Sequence, residues 1–375
     1  MKAIAVFPKL KKIDIIEIPE PEIQSPDEVL FRVLGVGICG TDREIARFDY
    51  GTPPDGADSF VLGHECLGEV VKVGAKVTRF RPGDLVVPTV RRPCDVACDA
   101  CIRQQSDMCY SGLFHERGIG RANGYMTRLV VERELYLTRL SPGLREVGVL
   151  LEPLTISEKA VEQMALIQRR LPWMGRPDAA GGEAELDGLV LGAGPVGCLS
   201  ALLLRISGFN AWVLSREPAT APVARLLETA GVHYISSQGA GAARTPEEVA
   251  KTIGHIDVMI EATGAAQFAF DYMPVLGVNG IYILTGIPAM HRPVSIDGGA
   301  ELRNLVLKNQ VVLGTVNANI TAFGAGARHL EELAQRFPEA LNGLVTARVP
   351  FEKYRDYLFD KPATELKTVL TFEGA

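Results

Sequence analysis

The stretch LVLGAGPVGCLSALLL, Leu189 to Leu204, leaves little freedom in how this chain can fold. An apolar run ends at Gly192, and Gly192, Gly194 and Gly197 follow at G-x-G-x-x-G spacing where a helix-forming segment begins. Strand, glycine turn and helix in that order specify a βαβ unit. The glycines allow a tight turn and close approach of backbone N–H groups to a pyrophosphate, which then sits at the helix N-terminus beside Pro195 and Val196. A membrane span is the competing reading of so apolar a run. It fails because the run contains Gly, Pro and Ser and stops at Arg205, short of about 20 residues.

Further strand candidates at Ala211–Ser215, His233–Ser236, Val258–Ala262, Gly280–Gly286 and Val311–Val316 alternate with helical segments, one near Thr220–Ala230. That alternation predicts a parallel, doubly wound sheet. The chain before it reads differently. Lys2–Phe7, Asp14–Ile18, Glu28–Val36, Gly63–Val73 and Asp84–Pro88 are short strands between Gly- and Pro-rich turns, an all-β module. A helical signal over Glu152–Leu171 gives way to a breaker-rich loop with Pro172, Gly175, Pro177, Gly181 and Gly182, where a boundary is expected. The tail predicts a helix around Arg328–Phe337 and strands at Leu344–Pro350 and Thr368–Phe372 that could return to the first module. With 375 residues, two domains follow: 1–185 with 318–375, and 186–317.

A formal charge of −6 with 22% charged residues excludes a basic nucleic-acid footprint. The first residues, MKAIAVFPKLKK, hold too few apolar positions for a secretory signal. Four of the seven cysteines crowd one segment, which suggests reduced thiolates on a metal, hence the cytoplasm.

At the end of the second strand of the doubly wound part, where an NAD-preferring site usually carries an acidic residue, stand Ser215 and Arg216. A hydroxyl and a guanidinium suit a 2′-phosphate, so NADP is favoured, with NAD as a second cofactor the main competitor. A solvated Arg216 neutralised by Glu217 is the bland alternative.

Two further groups carry metal chemistry. Cys39 in GVGICGTD and His64-Glu65 in VLGHE supply a sulfur, an imidazole and a carboxylate, a donor set that fits zinc. Taken singly, such a Cys or His is more often a packed core residue. Cys94, Cys98, Cys101 and Cys109, separated by three, two and seven residues, could close a tetrahedral structural zinc site; free or disulfide-linked thiols are the alternative.

Cys39-Gly40-Thr41-Asp42, Gly63-His64-Glu65, the four-cysteine segment and Gly192-x-Gly194-x-x-Gly197, in this order, resemble the zinc-containing medium-chain dehydrogenase/reductase superfamily. GTDREI, VLGHE, LLEPLTISEKAVEQ and GTVNAN look like its glucose 1-dehydrogenase branch. The resemblance implies an α/β fold with a GroES-like β-rich catalytic domain and a Rossmann domain. It implies a catalytic zinc on Cys39, His64 and Glu152 with Glu65 as neighbour or ligand, and a structural zinc on the four cysteines. It implies sugar contacts at Thr41, Glu116, Glu152 and Asn317, a proton relay through Thr41, and a homo-tetramer or homo-dimer. The cysteine segment departs from the common spacing, with one extra residue between Cys94 and Cys98, so its loop must bulge. Another zinc polyol, alcohol or threonine dehydrogenase is the nearest rival; a non-catalytic NADPH-binding protein with structural zinc is the rival from another class.

Overall fold

The computed structural model describes residues 1–172, 186–238, 245–288, 293–360, 362 and 364–372. It divides into two compact units: Met1–Thr155 with Asn317–Glu331 and Leu344–Ala375, and Ile156–Val316 with Glu332–Gly343. The second unit thus begins at Ile156, ahead of the boundary expected at 186. Of the breaker-rich loop, Gly175, Pro177, Gly181 and Gly182 lie outside the described residues.

Among its described residues the second unit contains six parallel strands, β1 (Asp187–Leu191), β2 (Asn210–Ser215), β3 (His233–Ser236), β4 (Val258–Glu261), β5 (Ile281–Leu284) and β6 (Val311–Gly314). They are ordered β3-β2-β1-β4-β5-β6. Strands covered on both faces become continuous apolar runs, and Gly188–Leu191 and Met259–Ile260 are buried throughout. Leu189 lies opposite Trp212 on one side and Met259 on the other, so β1 is the strand where the order reverses. A ligand crevice forms at the carboxyl ends of strands at such a point. Helix Pro195–Ile206 starts there; Pro195 suits the first turn because its missing N–H would have no partner in the helix.

The first unit is built on a seven-stranded sheet ordered Leu137–Leu140, Leu85–Pro88, Glu65–Val73, Glu28–Gly37, Lys367–Thr371, Val345–Pro350, with Leu129–Arg133 also pairing with Glu28–Gly37. The C-terminal strand does return to the first module: Val369 pairs with Gly37, and Gly37 pairs with Glu65 on its other side. The strand expected from Gly63 begins at Glu65, because Gly63 at φ +91° turns the chain first. The helix expected around Arg328 begins much earlier, at Ile320. Its first turns read ITAFGAGA, where Gly324 and Gly326 weaken the helical signal, but Asn319 Oδ1 accepts from the N–H groups of Thr321 and Ala322, and Ala322 and Phe323 are buried.

Candidate active site

Local backbone geometry sets the first cluster. Gly63 lies in the left-handed region, and a Cβ there would come within 2.6 Å of Met126 Cγ and 2.8 Å of Val36 Cγ1. Gly118 and Gly124 pack directly on its backbone, each so closely that a Cβ would overlap the Gly63 carbonyl. Three glycines therefore let the loop carrying Glu116 lie against the turn that presents His64. Just past the end of the adjacent strand Glu28–Gly37, Cys39 caps helix Gly40–Ala46, its N–H donating to Asp42 Oδ2 at 2.8 Å.

Ligand atoms of Cys39, His64 and Glu65 lie within 4.8 Å of one another. His64 and Glu65 are buried, and so is Asp42. Lys367 donates to Glu65 Oε1 at 2.6 Å, to Oε2, and to the carbonyl of Ile38 at 3.3 Å. Gly37 makes room, since a Cβ there would overlap Glu65 Oε2. Glu152, in the first turn of helix Leu151–Gln168, is also buried but stands outside that set of three. Burial, with the Glu65 and Asp42 charges, pushes its carboxyl up to about 7, against the pull of His64 and Lys367.

A cation fits this arrangement on two counts. His64 Nδ1 and Asp42 Oδ1 face each other at 3.4 Å, both buried and neither hydrogen-bonded. An imidazole that gives its other nitrogen to a metal turns such an N–H toward a carboxylate. Burial also opposes charge on His64, yet the Asp42 carboxylate and the Cys39 sulfur outweigh it and hold the ring's pKa well above the usual value. A half-buried thiol and three buried carboxyl groups against one lysine attract positive charge, and sulfur, imidazole and carboxylate are zinc donors.

The second cluster brings Cys94, Cys98, Cys101 and Cys109 together, with Cys98 Sγ 3.7 Å from Cys109 Sγ. The N–H groups of Cys94 and Cys98 point at the sulfurs of Cys101 and Cys94, both at 3.4 Å. The Ser111 hydroxyl and the Cys98 N–H bring the Cys94 thiol down to about 6, while burial lifts Cys101 to about 12. The extra residue in the spacing is absorbed at Ala97, which sits at φ +47° and donates to the Cys94 carbonyl at 3.2 Å. None of the seven cysteines forms a disulfide.

Glu116 is buried in the same unit as the first cluster. Asn317, at φ +59°, donates from Nδ2 to its Oε1 at 2.9 Å, and Arg91 donates to that oxygen as well. Thr41 is half-buried in the first turn of helix Gly40–Ala46, two residues beyond Cys39, with no described hydrogen-bond partner for its hydroxyl. In the second unit Gly192 is at φ +105°, Gly197 packs on the Gly192 carbonyl, and Gly194 faces open space. At the end of β2, Ser215 donates to Glu217 rather than standing free, and exposed Arg216 pairs with no described residue.

Comparison with known proteins decides the family. Residues 145–372 match the model described as Glucose dehydrogenase C-terminus, and 25–142 match Alcohol dehydrogenase GroES-like domain. The chain is 39% identical over 360 residues to a glucose 1-dehydrogenase of Methanocella arvoryzae, covering 96% of each. It is 36% identical over 364 residues to one of Thermoproteus tenax, covering 95% of each. A solved structure of Haloferax mediterranei glucose dehydrogenase with NADP, Zn and gluconolactone matches all of both chains with TM-score 0.85 at 34% identity. The chain belongs to the glucose 1-dehydrogenase branch of the zinc-containing medium-chain dehydrogenases.

Sequence reasoning alone gives no sign of three contacts that the fold builds around the candidate site, those of Asp42 with His64, Lys367 with Glu65 and Arg91 with Glu116. Asp42 was visible in GTD, but its contact with His64 was not. Lys367 and Arg91 carry no motif signal: a lone lysine in a C-terminal strand and one arginine of an Arg-Arg pair read as surface charge, and both are buried.

Proposed function

We propose that this chain oxidises an aldose, D-glucose first among them, at C1 to the lactone with reduction of NADP. One observation carries the reading: a single compact unit holds both a sulfur–imidazole–carboxylate cluster and a Glu116–Asn317 pair suited to sugar hydroxyls. Glucose 1-dehydrogenase relatives and a structure holding NADP, Zn and gluconolactone support it.

Cys39, His64 and Glu152 would hold the catalytic zinc, with Glu65 kept beside it by Lys367; Cys94, Cys98, Cys101 and Cys109 would hold a structural one. Zinc bound at the first site supplies Lewis acidity, which makes a hydroxyl proton easier to lose. The Asp42 carboxylate orients His64 through Nδ1. The Thr41 hydroxyl, with no described protein partner, relays the C1 hydroxyl proton, handing its own proton to water as it receives the sugar's. Glu116 accepts a hydrogen bond from another sugar hydroxyl; a site built this way rejects analogues lacking that group. The Gly192–Gly197 turn and the N-terminus of helix Pro195–Ile206 receive the pyrophosphate, and NADP supplies the hydride acceptor. Arg216 meets the 2′-phosphate. Because Ser215 is engaged by Glu217, Arg216 carries most of the discrimination from NAD, and NAD remains usable.

The same reading places the enzyme in the cytoplasm, where seven cysteines without disulfides stay reduced. None of the described helices is long and apolar enough to cross a membrane. Edge strand β6, with exposed Val306 and Leu307 ahead of it, offers a surface for a homo-dimer or homo-tetramer.

The test is turnover of glucose, galactose and xylose with NADP⁺ and NAD⁺ in parallel, before and after chelation. Glucose oxidation that prefers NADP⁺ and disappears on chelation is expected; sugar oxidation unaffected by metal removal contradicts the reading.

A further inference from the structure

Three N–H donors crowd one oxygen of Glu116. Arg91 contributes Nε at 3.0 Å and Nη2 at 2.9 Å, Asn317 contributes Nδ2 at 2.9 Å, and all three reach Oε1. A carboxylate oxygen has two lone-pair sites, so Oε1 is saturated. Oε2 receives none of these donors. With the residue buried and one oxygen pinned, the direction of the other is set as well.

Arg91 is itself held from several sides. It is 7% exposed, its guanidinium lies 3.7 Å from the Phe114 ring centroid, and Nη1 donates to the Asp107 carbonyl at 3.2 Å. The Ser106 hydroxyl donates to the Arg91 carbonyl at 3.3 Å. Ser106 and Asp107 lie between Cys101 and Cys109, inside the four-cysteine segment. Gln105, from the same segment, accepts from Asn319 Nδ2 at 2.7 Å, two residues beyond Asn317. The cysteine segment therefore braces both arms that grip Glu116.

We propose that Arg91 is a positioning residue of the sugar site: supported by the four-cysteine segment, it pins Oε1 of Glu116 so that Oε2 is presented to a substrate hydroxyl. The proposal rests on the sugar-oxidising reading above and assigns the four-cysteine segment a part in substrate recognition. Lysine is a poor replacement, because it cannot offer Nε and Nη2 to Glu116 and Nη1 to Asp107 from one rigid plane.

The experiment compares wild type, R91K, R91M, E116Q and R91M/E116Q, each full-length and zinc-loaded, on glucose and its 2-, 3- and 4-deoxy analogues. R91M is expected to raise the KM for glucose about tenfold or more, the scale of one charge-assisted hydrogen bond, with KM for NADP⁺ and zinc content unchanged. One deoxy analogue, lacking the hydroxyl that Glu116 accepts, should feel the change less than about twofold, R91K should fall between, and R91M should add little to E116Q. A glucose KM in R91M within about twofold of wild type overturns the proposal, as does an equal penalty on every analogue or full additivity with E116Q. Should R91M fail to fold, the cycle built on R91K is read by the same criteria. Wild type that oxidises no sugar defeats the functional reading and this one together, whereas active wild type with an indifferent R91M defeats this one alone.

Discussion

Lys367 and Glu65, 302 positions apart in the chain, form a buried ion pair at 2.6 Å beside Cys39 and His64. Strand pairing brings them together: Gly37 lies between strand Lys367–Thr371 and the strand that starts at Glu65, and its missing side chain is the space the carboxylate occupies. A buried pair gains little over an apolar one, but breaking it strands a charge.

Lys367→Met should therefore destabilise the protein by about 3–5 kcal/mol. Denaturant unfolding of the zinc-free protein reads this directly. Glu65→Gln combined with Lys367→Met should recover part of the loss, and a single substitution costing under about 1 kcal/mol would contradict the pairing.

Cys39→Ala or His64→Ala should each lower turnover by about a hundred- to a thousandfold, as expected when an electrostatic stabiliser is lost from a site, while NADP affinity stays within a factor of about two. Metal content by elemental analysis should fall by one zinc per chain, with the four-cysteine metal retained. Full zinc with full loss of activity would remove these residues from the ligand set.

Arg216→Ala tests the cofactor end. Arg216 is exposed and pairs with no described residue, so the KM for NADP⁺ should rise about tenfold, the range for a charge-assisted hydrogen bond to phosphate, with little change for NAD⁺. Equal effects on both cofactors would show that Arg216 does not contact a 2′-phosphate.

Gly63→Ala probes the turn that presents His64. Left-handed strain of about 1–3 kcal/mol adds to overlap with Met126 and Val36, so the melting temperature should drop and turnover should fall beyond what the stability loss explains. Unchanged activity in this variant would mean that His64 tolerates a moved backbone.

Much of this protein was legible before folding. Apolar runs over β1, β2, β4 and β5 announced a buried parallel sheet, and G-x-G-x-x-G located the glycine turn between β1 and helix Pro195–Ile206, because both signals are local: they depend on neighbours within a few positions. Cys39, His64 and the four cysteines stood out for the same reason, since sulfur and imidazole donors are chemically distinctive in the sequence itself. Even the irregular spacing before Cys98 announced a bulge, which Ala97 supplies.

Local chemistry thus determined the elements, their order and the reactive donors. Folding decided who touches whom: that Lys367 neutralises Glu65 while Glu152 stands further off, that Arg91 and Asn317 converge on one oxygen of Glu116, and that Ser215 turns to Glu217 and leaves Arg216 unpaired among the described residues. The physical reason is range. Backbone preference and amphipathic period are properties of short segments, whereas burial and electrostatic pairing depend on distances that exist only after strands far apart in the chain have been laid side by side.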